Sequence, residues 1–213
     1  MTRAWRSLLV VSIALGAMAL AACGRAPLSF YDGPDFTPRW SPVAHHLADF
    51  SLTTQRGDTL TAEDLRGRIH VASFVYTKCA AVCPVLVREL ARVQTAIADL
   101  PDAVLVSYSV TPDADTPAAL AAFGRERSID SARWRLVTGD RRQIWQLARA
   151  SYFADDSRAL VGSPSADQAF LHTEKVLLVD RRLRLRGVYN GTSTFDIEHL
   201  IADLRQLAAA VDD

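Results

Sequence analysis

Two cysteines separated by three residues are the most chemically informative feature of the sequence. Cys79 and Cys83 follow the apolar residues 69–76, and Pro84 comes directly after the second cysteine. Because proline is favoured in the first turn of a helix, we predict that a buried strand ends before Cys79 and that a helix begins near Cys83. At the start of a helix, backbone N–H groups and the helix dipole stabilise a thiolate.

This spacing suits two kinds of chemistry. Residues four positions apart share one face of a helix, so the two sulfur atoms come close enough to hold one metal ion or to form a disulfide bond. The simpler alternatives are ordinary buried thiols or a static disulfide in an exported domain. So short a loop would restrict the unfolded chain little, which makes a purely stabilising bridge a poor explanation. We therefore expect Cys79 and Cys83 to be a reactive pair.

Two thiolates alone make an incomplete metal site, so the histidines are the next residues to consider. We expect four of the five to lie elsewhere, in an exposed linker, at the start of a buried strand or in the closing helix: His45, His46, His70 and His199. His172 differs, because it ends a long polar loop and precedes an apolar, strand-like run. That strand could neighbour the one that leads to Cys79, but spacing alone does not place the imidazole.

The third cysteine belongs to an amino-terminal export signal. Arg3 and Arg6 precede an uncharged apolar run over residues 8–22, which is shorter than the roughly 20 residues that span a bilayer. The Leu-Ala-Ala-Cys sequence that ends at Cys23 resembles a bacterial lipobox, in which the cysteine is lipidated and becomes the first residue. We predict a lipoprotein signal peptide over residues 1–22 and lipid anchoring on the extracytoplasmic, periplasmic side of a membrane. Cleavage without lipidation is the alternative.

Composition excludes several classes of protein. The 213 residues carry 24 basic and 24 acidic side chains and are 49% hydrophobic, which is ordinary for a globular domain. A disordered tail protein and a basic nucleic-acid binder are both excluded. Cleavage before Cys23 would leave 191 residues with a formal charge of −2, because the removed segment holds two Arg and no acidic residue.

The remaining pattern predicts one α/β domain, with a mixed central sheet flanked by helices and an amino-terminal β-hairpin. Residues 23–45 contain four prolines and no regular period, so we predict a linker from the lipid to a domain over residues 46–213. The hairpin is predicted over residues 50–60. Further strands are predicted at residues 69–76, 104–110, 134–137, 175–180 and 183–189, and helices at residues 84–100, 117–127, 140–150 and 194–210.

Three segments resemble the signatures of the Sco/SenC family. Residues 73–84, SFVYTKCAAVCP, look like its Cys-x-x-x-Cys-Pro segment, and residues 106–117, VSYSVTPDADTP, are similar to its second signature. His172, followed by VLLVD at residues 176–180, resembles the third. The likeness runs in order from about Phe50 to the carboxyl terminus. The combination is specific, whereas Cys-x-x-x-Cys alone would be a weak signal.

The resemblance implies a thioredoxin-like fold with Cys79, Cys83 and His172 as copper ligands. Such proteins deliver copper to the binuclear copper centre of cytochrome c oxidase, or reduce its cysteines so that copper can enter. The implied partner is therefore the copper-centre subunit of the oxidase or another copper or thiol protein, and no nucleic acid. Two thiolates and one imidazole suit soft Cu(I), with Cu(II) as a second state, while structural zinc normally takes four protein ligands.

The main alternative is a thiol-disulfide oxidoreductase that acts on cysteines of exported proteins, with Cys79 and Cys83 as its redox pair and as a disulfide when oxidised. Thr77 stands two residues before Cys79, not three as in a peroxiredoxin-like Thr-x-x-Cys, and a thioredoxin-type Cys-x-x-Cys is absent. We therefore expect a metallochaperone rather than an enzyme. A purely structural lipoprotein comes third, because it leaves the assembled signatures unexplained.

Two positions depart from the family pattern. Thr111 stands where the family commonly has Asp, and Leu171 stands where an acidic residue commonly precedes the histidine. Asp113 and Asp115 remain nearby, and whether either one substitutes stays open at the level of sequence. If the lost acids tune the site or contact a partner, the chain is a divergent paralogue with a more redox-oriented role.

Overall fold

The computed structural model describes residues 26–78, 82–154 and 173–210. Within them, seven strands form one sheet in the order β2-β1-β5-β4-β3-β6-β7. The strands are β1 (Ser51–Thr54), β2 (Thr59–Thr61), β3 (Ile69–Val75), β4 (Ala103–Ser109), β5 (Trp134–Thr138), β6 (Lys175–Val179) and β7 (Leu185–Asn190). The helices are α1 (Val82–Ala96), α2 (Pro117–Glu126), α3 (Arg141–Gln146) and α4 (Thr194–Ala209).

The sheet is mixed, as predicted. Strand β4 pairs in parallel with β3 and β5, whereas the β1–β2, β1–β5, β3–β6 and β6–β7 pairs are antiparallel. Every residue of β3 and β4 is buried, which is the pattern of central strands covered on both faces. Side chains of α1, α2 and α4 pack on one face in a cluster that includes Leu86, Leu120 and Leu200. Ile144 of α3 and Tyr152 belong to the cluster on the other face.

Two helices begin where the sequence predicts. The Thr116 hydroxyl accepts the Ala119 N–H at 3.2 Å and so caps α2, while the Asp140 carboxylate accepts the Gln143 N–H at 2.8 Å and caps α3. The helix predicted over residues 140–150 is regular only to Gln146 and continues as a π-helical turn over Leu147–Ser151. This turn buries Leu147 and Ala148.

Strand β7 forms one edge of the sheet, and residues 28–39 run beside it. Phe30 and Arg39 form an isolated antiparallel bridge, and the Tyr31 N–H donates to the Leu185 carbonyl at 3.1 Å. Phe30 is 6% exposed, so part of the predicted linker packs against the domain and covers the edge strand. In the part of the chain that the structure describes, no helix has the length and apolar character needed to cross a bilayer.

Candidate metal centre

The candidate site lies at the end of the sheet where β3 finishes and β6 begins. These strands are antiparallel neighbours, with Ala72 opposite Leu177. The prediction that the strand after His172 neighbours the strand before Cys79 is therefore confirmed. Cys79 follows β3 in sequence and His172 precedes β6, but both lie outside the described residues, as do Cys23 and Leu171.

Cys83 is the second residue of α1 and is half-buried. The buried side chains of Leu86 and Leu90 pack α1 against the sheet, which fixes its first turn near the end of β3. The structure thus places one member of the predicted site where the sequence puts it. Among residues 26–78, 82–154 and 173–210, no three His, Cys, Asp or Glu side chains gather as a metal site. The full set of Cys79, Cys83 and His172 stays a prediction.

Asp115 is a buried carboxylate that joins the loop after β3 to the loop after β4. It accepts hydrogen bonds from the hydroxyl groups of Ser109 at 2.6 Å and Thr111 at 3.1 Å. It also accepts the Thr77 N–H at 3.4 Å and the Thr77 hydroxyl. Four donors satisfy this carboxylate without a metal or a basic side chain. Because Thr77 stands two residues before Cys79, Asp115 holds the chain that enters the predicted site.

Sequence reasoning missed this role. The available signal was the set of small hydroxyl residues and one Asp directly after two parallel neighbouring strands, whose carboxyl ends meet at one edge of the sheet.

The structure also shows whether Asp113 or Asp115 could replace the acidic residue that the family commonly has at the position of Thr111. Asp115 is fully buried, so it is not presented to a partner, and the Thr111 hydroxyl is directed at it. The Asp113 side chain is 77% exposed and pairs with Arg141 of α3.

A tight corner supports the start of β6. The Gly191 N–H donates to the Glu174 carbonyl at 2.7 Å, and Glu174 lies two residues after His172 in sequence. A Cβ atom at position 191 would clash with Leu86 of α1 and would lie 2.5 Å from Val176 Cγ2. Glycine is therefore required for the close approach of the β7–α4 turn to α1 and β6.

A cluster of charges joins the two helices that pack side by side near the site. Glu89 of α1 is almost fully buried and receives hydrogen bonds from Arg92 at 2.9 Å and Arg88 at 3.3 Å. The hydrogen bond from Arg92 is the main reason that the pKa of Glu89 lies below its ordinary value, since burial acts in the opposite direction. Arg92 also pairs with Glu198 of α4 at 3.1 Å. The cluster thereby links α1 to α4 through one solvent-exposed ion pair.

The other histidines lie elsewhere. His70 is fully buried in β3, as predicted, and burial lowers its pKa to about 3. His199 is exposed in α4, with its ring 4.2 Å from that of Phe195. His46 is exposed, as expected. The expectation that His45 is exposed is wrong: it is partly buried, and its Nε2 lies 2.9 Å from the Ser151 carbonyl oxygen.

Comparison with solved structures identifies the fold. A SCO1/SenC family lipoprotein from Bacillus anthracis str. Ames is 28% identical, with a TM-score of 0.67, and the match covers 79% of this chain and 98% of that one. BsSco, a member of the Sco family of cytochrome c oxidase assembly proteins in which a disulfide switch is described, is 25% identical, with a TM-score of 0.65 and coverage of 79% and 96%. The thioredoxin-like α/β fold is confirmed by these similarities.

A third similar structure holds the metal that the sequence predicts. Bradyrhizobium japonicum ScoI with copper bound is 26% identical, with a TM-score of 0.59, and the match covers 76% of this chain and 99% of that one. The likeness to such proteins also appears in a comparison with family models. The family model described as SCO1/SenC matches residues 40–209, most of the chain, and the protein therefore belongs to the SCO1/SenC family.

Proposed function

We propose that the protein is an extracytoplasmic copper chaperone that assists assembly of the binuclear copper centre of cytochrome c oxidase. Cys79, Cys83 and His172 would hold the copper that is delivered. The observation that carries the proposal is the position of the half-buried Cys83 at the start of α1, at the sheet end where β3 finishes and β6 begins. The copper-bound ScoI structure and the oxidase-assembly role named for BsSco support the two parts of the proposal.

The proposed donor set suits transfer rather than permanent storage. Two thiolates and one imidazole favour Cu(I), and three protein ligands leave a side of the ion open. A ligand of the acceptor can then bind before a ligand of the chaperone leaves, so the ion is handed over by exchange of bonds without a change of oxidation state. The partial exposure of Cys83 is consistent with access by an acceptor.

The surroundings of the site support a preorganised centre. Asp115 fixes Thr77 on the chain that leads to Cys79, and the corner at Gly191 fixes Glu174 on the chain that follows His172. Ligands held by a rigid shell of hydrogen bonds and packing lose less freedom when they bind an ion. Both approaches to the predicted ligands are therefore held by contacts that do not themselves bind metal.

The proposal includes a membrane anchor. Residues 1–22 would be removed as a lipoprotein signal, Cys23 would carry the lipid, residues 23–45 would join it to the domain, and residues 46–213 would form the domain. The charged start, apolar run and lipobox-like sequence support this organisation. The similar protein from Bacillus anthracis is described as a lipoprotein. The anchor would keep the copper site close to acceptors in the same membrane.

Thiol-disulfide exchange is the second candidate, favoured by the disulfide switch described for BsSco. One thiolate of the pair would attack a disulfide of an exported protein, form a mixed disulfide and release one substrate thiolate. The second cysteine would then attack the mixed disulfide, which leaves the Cys79–Cys83 disulfide on this chain and a reduced dithiol on the substrate. Two electrons pass to the substrate, and a separate dithiol protein must supply two more for each further turnover.

One pair of assays separates these functions. The reduced protein, purified in detergent, is titrated with Cu(I) against a chromophoric chelator, and in parallel its turnover of a protein disulfide is measured with a dithiol reductant. The chaperone proposal predicts one equivalent of tightly held Cu(I), no binding of comparable strength by Cys83→Ser, and slow exchange. Rapid catalytic exchange by a protein that does not retain Cu(I) would reject copper delivery in favour of the oxidoreductase.

A further inference from the structure

We propose that one flank of the domain rests on the lipid surface, with the indole of Trp40 at the level of the headgroups. We define this anchor face as residues 26–29 together with Trp40. The inference rests on the lipid anchor at Cys23 that is part of the proposed function. It adds an orientation. The end of the sheet where β3 finishes and β6 begins, here called the copper end, points away from the bilayer.

The chain that leads from the anchor is bound to the domain by a buried guanidinium group. The Arg186 side chain, 4% exposed, donates to the Leu28 carbonyl at 2.8 Å and the Ser29 carbonyl at 3.1 Å. The same guanidinium lies 3.2 Å from the carboxylate of Asp180. A buried, charge-assisted arrangement of this kind holds backbone in one position. Residues 28–29 therefore cannot swing away from β7 without leaving Arg186 short of partners.

Contacts on either side extend this attachment. The Phe30 ring lies against Arg186, with the guanidinium carbon 3.9 Å from the ring centroid. On the amino-terminal side, the Gln206 side-chain amide donates to the Ala26 carbonyl at 2.7 Å. The chain is therefore attached to the domain from Ala26 onward.

Covalent geometry limits the distance between the domain and the membrane. Only three residue steps separate Cys23 from Ala26, and fully extended chain spans at most about 3.6 Å per residue. The Cα atom of Ala26 therefore lies within about 11 Å of the Cα atom of the lipidated residue, whatever conformation those residues adopt. Because a domain of this size is several times wider than that, only a face close to Ala26 can rest on the bilayer.

Trp40 is the residue of that face that suits the interface. Its side chain is 72% exposed, and it lines the same cavity, of about 210 Å³, as Ala26, Pro27 and Leu28. A tryptophan combines a large apolar ring with one N–H donor, so it favours the boundary between headgroups and acyl chains. Phe195 is the other large hydrophobic side chain exposed within the described residues, and it lies at the start of α4.

Helix α4 separates the attachment of Ala26 from the start of β6, the end of the sheet where the predicted copper site lies. Gln206, which binds Ala26, lies in the carboxyl-terminal turns of α4, whereas Thr194 begins this helix beside the Gly191 corner that supports the start of β6. Twelve residues at 1.5 Å each separate these positions by about 18 Å along the helix. An anchored domain would therefore present Cys83 to a partner that projects from the membrane rather than to the lipid.

Intrinsic tryptophan fluorescence tests this orientation. The full-length, lipidated protein is reconstituted into phosphatidylcholine vesicles with brominated acyl chains, which quench nearby tryptophans. The Trp40→Phe variant gives the background from the remaining tryptophans, including the buried Trp134. The matched control carries Trp40→Phe and Phe195→Trp, which moves the exposed tryptophan to the copper end. We expect the fluorescence of the Trp40 component to be quenched, because tryptophan favours the interface, and that of the residue-195 component to stay unchanged.

Two results would overturn the inference. One is membrane-bound protein in which the tryptophan at position 195 is quenched as strongly as Trp40, or in which Trp40 is not quenched. The other is protein that does not float with the vesicles and lacks the acyl mass on Cys23. Cu(I) titration of the same preparations in detergent reports separately on the copper proposal, since Trp40→Phe is expected to leave copper affinity unchanged.

Discussion

Asp115 accepts hydrogen bonds from both the backbone N–H and the hydroxyl group of Thr77. The two residues lie on loops that follow the neighbouring parallel strands β3 and β4, so the contact joins both loops at the candidate copper site. Replacing a carboxylate that is fully buried and satisfied by four donors would leave buried donors unpaired and lower the stability of the fold. We infer that Asp115 is a positioning residue for the chain that leads to Cys79.

The Asp115→Asn variant should weaken copper binding without removing a ligand. The amide keeps the shape but loses the charge, and its NH2 group cannot accept the donors that face it. We expect a loss of about 1–3 kcal/mol in the free energy of unfolding and at least about a tenfold rise in the Cu(I) dissociation constant. Asp113→Asn is the control, because Asp113 is exposed, and it should leave both quantities unchanged. Equal copper affinity in the two variants would reject the positioning role.

His70 makes stability depend on pH. Burial lowers its pKa from 6.5 to about 3, although Asp180 acts in the opposite direction, and its Nε2 lies 3.1 Å from the Tyr152 hydroxyl. The folded protein therefore holds His70 neutral, while the unfolded chain takes up a proton as the pH falls below about 6.5. The stabilising contribution is full above that pH and declines as the pH falls toward 3, by up to about 1.4 kcal/mol per pH unit.

Urea unfolding at pH 7.5 and pH 5.0 measures this effect. The parent protein should lose about 2 kcal/mol through His70 over that interval, and His70→Gln should not show this part of the loss. His199→Gln is the matched control, because His199 is exposed, and it should behave like the parent. The same pH dependence in both variants would show that His70 does not couple folding to protonation.

Gly191 should tolerate no side chain, whereas another buried glycine should. In Gly191→Ala, the new methyl group would be forced against Leu86 and Val176, and overpacking of this kind costs about 1–3 kcal/mol. In Gly124→Ala, within α2, the nearest neighbouring atom would be Leu136 Cδ1 at 3.5 Å, an ordinary contact. That variant should be neutral or more stable by about 0.5–1 kcal/mol. Thermal unfolding of both proteins tests the prediction, and destabilisation of equal size at both positions would contradict it.

Features that depend on local sequence were predictable. Apolar runs gave the central strands, and Thr116 and Asp140 marked helix starts because a side-chain cap acts within three residues. The placement of Cys83 at the start of a helix followed from Pro84 and from the spacing of the two cysteines.

The pairing of β3 with β6 was predicted, but side-chain contacts between distant parts of the chain were not predictable. Residues 28–29 show no periodic pattern in the sequence, and what holds them is the side chain of Arg186, more than 150 positions away. The role of Asp115 depends in the same way on Thr77, from a different loop. The ligand roles of Cys79 and His172 stay predictions from the sequence, since the structure describes the strands that flank them but not those residues themselves.

The central claim is that His172 completes a copper site with Cys79 and Cys83. Cu(I) titration of the reduced protein, compared with its His172→Ala and His199→Ala variants, tests it most directly. The parent protein and His199→Ala should each bind one equivalent with the same dissociation constant, while His172→Ala should bind at least about tenfold more weakly. Equal affinity in His172→Ala would remove this histidine from the site, and no retention of Cu(I) by the parent protein would contradict the copper function itself.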